Sequence, residues 1–181
     1  MLETIQGLDG AALLAIQSIR TPALDSLVAG YTALGNVGLM WILLSLAMLC
    51  HKSTRKAGGA ALMALIFGLL CTNVTLKHLV ARPRPWLDVA GLVPVIAEHD
   101  PNSFPSGHTT AAFAAGMVWA RALSWNWARP VAVGMAVCMG LSRLYVGVHY
   151  PTDVIAGALV GGFCAWLALK LWEKGAGRLV R

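Results

Sequence analysis

Long apolar stretches separated by short polar breaks run through this chain of 181 residues. Five of them have the length and character of bilayer spans, which take roughly 20 residues each. They cover residues 24–50, 57–76, 107–124, 130–145 and 153–172. Ahead of them Leu2, Ile5, Leu8, Ala12, Ile16 and Ile19 recur at helical spacing. Glu3 and Asp9 interrupt that stripe, and Gly7 and Gly10 weaken it. The pattern predicts an amphipathic helix over residues 1–20 lying at a membrane surface, or else a sixth span. The expected fold is a single all-α integral-membrane domain, 1–181: a bundle of five transmembrane helices, or six, with an N-terminal interfacial helix.

Composition agrees with the pattern. Hydrophobic residues make up 57% of the chain and charged residues 12%, against about 25% charged in a soluble domain. The net charge of +6 does not point to nucleic acid. The cations divide among short loops, with no basic stripe interleaved with aromatics. Cys50, Cys71, Cys138 and Cys164 lie in or at the ends of apolar runs without C-x-x-C spacing, as small core residues do. Residues 1–20 lack the basic start of a cleavable signal peptide. Glycines inside the spans, among them the Gly157/Gly161 G-x-x-x-G pair, predict close helix packing. That pair alternatively marks a dimer face.

Loop charges orient the bundle. Lys52, Arg55, Lys56, Arg121, Arg129, Lys170, Lys174, Arg178 and Arg181 fall on one side, with Glu173 as its acid. Most acids fall on the other side, together with Arg20, Lys77, Arg82, Arg84 and Arg143. Positive loops stay in the cytoplasm. The second face therefore points to the periplasm or exterior of a bacterial-type inner membrane. Trp125, Trp127 and Trp172 fit one interfacial aromatic belt, and Trp86, Tyr145 and Tyr150 the other.

That outward face collects three polar motifs. Lys77 and Arg84-Pro85 follow the second span, Pro105-Ser106-Gly107-His108 opens the third, and Ser142-Arg143, His149 and Asp153 join the fourth to the fifth. Ionisable residues in a membrane segment are costly and signal function. Ser106 suits a helix N-cap, and Gly107 lets backbone approach a ligand. The start of that helix offers N–H groups to an anion. Lys77 and Arg84 supply a point charge and a bidentate grip on phosphate oxygens. Pro83 and Pro85 stiffen the segment that carries Arg84, and the role of Arg82 stays open. Pro151 suits a first helical turn, which puts His149 just before a helix and Asp153 inside its opening turn. From there a carboxylate reaches one imidazole nitrogen and leaves the other free to attack.

The ordered set Lys77-x6-Arg84-Pro85, Pro105-Ser106-Gly107-His108 and Ser142-Arg143-x5-His149-x3-Asp153 closely resembles the three signatures of the type 2 phosphatidic acid phosphatase superfamily. The resemblance implies that His149 is a nucleophile forming a phosphohistidine, oriented by Asp153. It implies that His108 protonates the leaving oxygen and then helps activate water. Lys77, Arg84, Ser106, Gly107 and Arg143 would bind phosphate, with no metal and no cofactor. A neutral His149 beside a charged His108 predicts a bell-shaped pH profile. The implied partners are a lipid phosphate and the bilayer, with no nucleic acid. The substrate expected is undecaprenyl diphosphate. Phosphatidylglycerol phosphate or phosphatidic acid is the alternative, and lipid phosphotransfer the alternative reaction class.

Overall fold

A computed structural model describes residues 2–176, without the side chains of Leu2, Glu3, Ile5 and Ala176. Arg178 and Arg181, counted above among the cytoplasmic cations, lie outside the described residues. All regular structure among the described residues is helical. Helix α1 covers Leu2–Ser18, α2 Pro22–Ala33, α3 Leu39–Leu49 and α4 Arg55–Leu69. A π-helical segment, Leu70–Leu76, continues α4 into the short α5, Lys77–Val80, and α6 covers Pro85–Asp88. After a long loop come α7, Gly107–Ala122, α8, Ala128–Tyr145, and α9, Pro151–Ala176.

The first predicted span is two helices, not one. A 3-10 turn at Asn36–Gly38 separates α2 from α3, with Val37 and Gly38 at φ 54° and 73°. Left-handed backbone in successive residues ends an α-helix, and the pair bends by 46°. Among the described residues two stretches, Arg55–Asp88 and Pro151–Gly175, are long and apolar enough to cross a membrane, and the bent pair makes a third if it is one span. Helix α7 has 16 residues, about 24 Å, and is shorter than the roughly 30 Å hydrocarbon core. It lies at the centre of the bundle, packed on α4, α8 and α9.

Small residues permit that central position. Ala112, Ala114 and Ala115 of α7 are fully buried beside Ala60, Ala61 and Ala64 of α4 and Ala165 and Ala168 of α9. Trp41 and Trp119 pack in the same core with their ring centroids 5.5 Å apart and their planes tilted by 35°. The G-x-x-x-G pair packs within the chain. A Cβ on Gly157 would stand 2.7 Å from the Ser106 carbonyl oxygen, and one on Gly161 2.5 Å from that of Thr110. Outside the core, Leu27, Leu43, Leu69, Leu159 and Phe163 are exposed, an apolar perimeter that suits lipid rather than water.

Helix α1 docks on the bundle through residues outside its apolar stripe. Leu8 and Ile19 of the apolar stripe are exposed, whereas Asp9 and Leu13 are buried. Leu13 packs with Leu92 and Tyr150 in a second small core. Asp9 is thus a docking residue, not an interruption. Tyr150, expected in an aromatic belt, is fully buried there.

Replacing Gly161 by valine should destabilise the bundle by about 1–3 kcal/mol through overpacking. At the neighbouring Gly162 an added Cβ would meet no atom within 4 Å, so alanine should be accepted there without loss. Thermal unfolding in detergent micelles compares the two; equal melting temperatures would contradict the packing described.

Candidate active site

Four helix ends meet at one end of the bundle. Ser106 caps α7, its hydroxyl oxygen accepting from the Thr109 amide at 3.4 Å and the Thr109 hydroxyl at 2.9 Å. Its own amide donates to the Asp153 carbonyl at 3.1 Å, so the starts of α7 and α9 are locked together. Gly107 and His108 follow in the first turn of α7. The π segment lies against that turn, with Thr72 and Thr110 hydroxyls 3.0 Å apart. It delivers a buried Lys77 to the same place.

Ala81, at φ 47°, ends α5, and the chain then runs extended through Arg84 (φ −74°, ψ 150°), as a residue before proline prefers. This geometry turns Arg84 inward, where it is 1% exposed. Its guanidinium donates to the carbonyls of Asp100 and Val148, both at 2.9 Å, and approaches His149 Nε2 at 3.0 Å. Arg143, in the last turn of α8, is fully buried. It donates to the Thr32 hydroxyl at 2.9 Å and lies 3.4 Å from His108 Nε2. That same His108 nitrogen stands 3.0 Å from Asn36 Oδ1.

His149 sits in the turn between α8 and α9. Gly147 makes the turn at φ 77°, where a Cβ would also meet Arg20 at 2.8 Å. Because Arg84 can only donate, the His149 Nε2 facing it is the unprotonated nitrogen, and Nδ1 carries the proton. Nδ1 lies 3.5 Å from Asp153 Oδ2, an ion-pair distance without a hydrogen bond. The Asp153 carboxylate is held from other directions, by Arg82 at 2.7 Å and by the Tyr150 amide at 2.9 Å. Burial, then the Arg84, Arg143 and Lys77 charges, hold the His149 imidazole well below the usual histidine range, so the ring is neutral at neutral pH.

All eight residues singled out in the sequence therefore gather here: Lys77, Arg84, Ser106, Gly107, His108, Arg143, His149 and Asp153. Two acids join them that lie outside the motifs. Glu98 pairs with Arg143 at 2.6 Å, and Asp100 pairs closely with Lys77 and stands 3.9 Å from Arg84. Burial disfavours the Asp100 charge, but bonds from Lys77 and the Asn102 amide, with the Lys77 and Arg84 charges, hold its carboxyl below the usual range. Glu98, Asp100, Asn36 and Thr32 escape sequence reasoning because each reaches its partner across the fold. The local signal was two acids close together in the apolar segment before the second motif. Among the described residues no three His, Cys, Asp or Glu side chains gather as a metal-ligand set.

A cavity of about 980 Å³ opens from this cluster. Lys77, Arg84, His108 and His149 line its polar end; Ile42, Leu62, Leu65, Ile66 and Leu69 line an apolar arm between α3 and α4. Cations and a neutral imidazole at the head of an apolar groove can hold an anionic group on a hydrophobic tail. A family profile described as the PAP2 superfamily matches residues 57–175. The chain belongs to the PAP2 superfamily.

It is 31% identical to an undecaprenyl-diphosphatase of Sulfolobus acidocaldarius over 75% of its own length and 65% of that protein's. It is 33% identical to phosphatidylglycerophosphatase B of Bacillus subtilis over 94% of this chain and 86% of the other. Among solved structures, the transmembrane PAP2-type phosphatidylglycerolphosphate phosphatase of Bacillus subtilis superposes with a TM-score of 0.78 at 29% identity. That superposition covers 95% of this chain and 88% of that one. Family and fold together give a membrane lipid phosphatase of the PAP2 type; the relatives differ in the lipid that their names carry.

The Asp100 carboxylate competes with any anion for Lys77 and Arg84. Asp100→Asn should therefore tighten binding of inorganic phosphate or vanadate several-fold, read by calorimetry on the detergent-solubilised protein. Weaker binding would show that Asp100 organises the cations rather than competing for them.

Proposed function

We propose that this chain hydrolyses phosphate from a (di)phosphorylated membrane lipid through a phosphohistidine at His149, with undecaprenyl diphosphate as substrate. The observation that carries the reading is the unprotonated His149 Nε2 facing Arg84 at the polar head of an apolar groove. Lys77, Arg84, Arg143, the Ser106 hydroxyl and the Gly107 amide hold the phosphoryl oxygens and take the equatorial charge without a metal ion. Nε2 forms the N–P bond while the P–O bond to the lipid breaks, and His108 gives its proton to the leaving oxygen. Asp153 stabilises the charge that appears on the His149 ring. Water, activated by His108, then breaks the N–P bond and releases phosphate.

Phosphatidylglycerol phosphate is the second reading, favoured by the likeness to the Bacillus subtilis enzyme along 94% of this chain. The five spans are the bent α2–α3 pair, α4 with its continuation, α7, α8 and α9. Arg55, Arg121, Arg129 and Lys174 sit at the helix ends away from the site. That distribution supports a site facing the periplasm or exterior.

Purified protein should release phosphate from undecaprenyl diphosphate faster than from phosphatidylglycerol phosphate or phosphatidic acid, with activity surviving a chelator. His149→Ala should lower kcat by at least about 10³-fold. Persisting activity in that variant would sink the phosphohistidine, and a preference for phosphatidylglycerol phosphate would replace the substrate. Transfer of phosphate to an added lipid alcohol, in place of water, would reassign the reaction as phosphotransfer.

The pH dependence follows from His149. Its neutral form attacks, and its pKa is depressed, so competence persists as pH falls through the ordinary histidine value of about 6.5 and is lost only below it. The acid limb of kcat/KM should therefore have its midpoint below that value. A midpoint at or above it would contradict the electrostatic setting described.

A further inference from the structure

Arg82 stands two residues before Arg84 yet has a different environment. Its Nη1 donates to Asp153 Oδ1 and to the Thr152 hydroxyl, both at 2.7 Å, and its Nη2 donates to Asp9 Oδ2 at 2.9 Å. The guanidinium lies 3.7 Å over the Tyr150 ring. Asp9, in turn, accepts from the Thr152 amide at 3.2 Å and closely from its hydroxyl. Neither Arg82 nor Asp9 lines the cavity. They meet the other side of the His149–Asp153 pair.

The Asp153 carboxylate is wholly buried and has two oxygens to satisfy. Arg82 takes Oδ1, which leaves Oδ2 directed at the Tyr150 amide and His149 Nδ1. Without Arg82, a buried anion would lose its one strong charged partner, and its rotamer would no longer be set. Asp9 completes the set by holding the second arm of the guanidinium and the first-turn residue Thr152. We propose that Arg82 and Asp9 are positioning residues for the His149–Asp153 pair, and that helix α1 is thereby part of the catalytic assembly. The inference rests on the nucleophilic role given to His149 above.

The test uses the full-length protein with Arg82→Gln, Arg82→Lys, Asp9→Asn and the Arg82→Gln/Asp9→Asn double variant. Arg82→Gln should lower kcat on the order of 100-fold with KM and vanadate affinity little changed, and Arg82→Lys should recover part of the loss. Asp9→Asn should lose less, and the double variant should lose less than the product of the two, because both act through one contact. Should Arg82→Gln fail to fold, Asp9→Asn carries the test.

A parallel loss of vanadate affinity and kcat would place Arg82 in the phosphate site and overturn the proposal. Unchanged kcat in both single variants would overturn it as well. Nitrogen-15 NMR of the His149 ring separates this outcome from failure of the phosphatase reading. The Nδ1–H tautomer, which Arg84 sets at Nε2, should persist in Arg82→Gln, while the Nδ1 shift should move as the Asp153 carboxylate leaves its place beside it, whether or not any lipid is hydrolysed. An Nδ1 shift unaffected by Arg82→Gln would count against the positioning role even in an active enzyme.

Discussion

Charge taken out of water must be matched by charge. Arg84, Arg143, Lys77 and Arg82 lie within one end of a helical bundle, and an isolated buried ion there costs several kcal/mol. The fold answers each with a carboxylate: Asp100 for Lys77 and Arg84, Glu98 for Arg143, Asp9 and Asp153 for Arg82. Much of the architecture follows from that matching. The loop after α6 crosses the site because its two acids belong there. Helix α1 lies against α8 and α9 because Asp9 must reach Arg82. Glu98 and Asp100 sit on cations that are suited to a phosphoryl group, so the resting site is electrostatically complete before substrate arrives.

The second constraint is closeness. Backbone groups of α7 and α9 approach each other through Gly157 and Gly161, and the Ser106 amide bonds directly to the Asp153 carbonyl. The cap of one helix and the opening turn of the other become a single rigid unit. The reactive imidazole, its carboxylate and the anion-binding helix start are then held by backbone rather than by long side chains. Such support keeps reacting groups within the narrow geometric tolerance that catalysis needs.

The helical class, the ends of the later helices and the gathering of the eight motif residues at one end of the bundle were legible in the sequence, because each depends on local rules. Ser106 caps where a serine before a helical run should, and Pro151 opens α9 as a proline should. The break between α2 and α3 was less visible, since Gly35 to Gly38 lies inside an otherwise unbroken apolar run. The pairing of the charges was hidden. Arg82 and Asp9 are 73 residues apart, and Arg143 reaches Thr32 across 111. No periodicity or spacing encodes such pairs; the tertiary fold alone brings them together. Asp9 shows the cost of a one-dimensional view, in which a charge within an apolar stripe looks like a defect.

The π segment at Leu70–Leu76 has an implication for how this chain tolerates length changes. A π turn holds more residues than an α turn, so the segment stores a surplus residue within an otherwise α-helical span. Rewinding it as regular α-helix at constant length would carry Lys77 about 100° further around the axis. That rotation would swing the ammonium off the cavity and shift the turn that aims Arg84. Removing one residue from the segment has the opposite effect, because the loss absorbs the surplus and leaves the following residues facing as before. The same removal from the regular turns of α4 would have no such reserve to draw on. In this helix, residue count is as much a part of the site as residue identity.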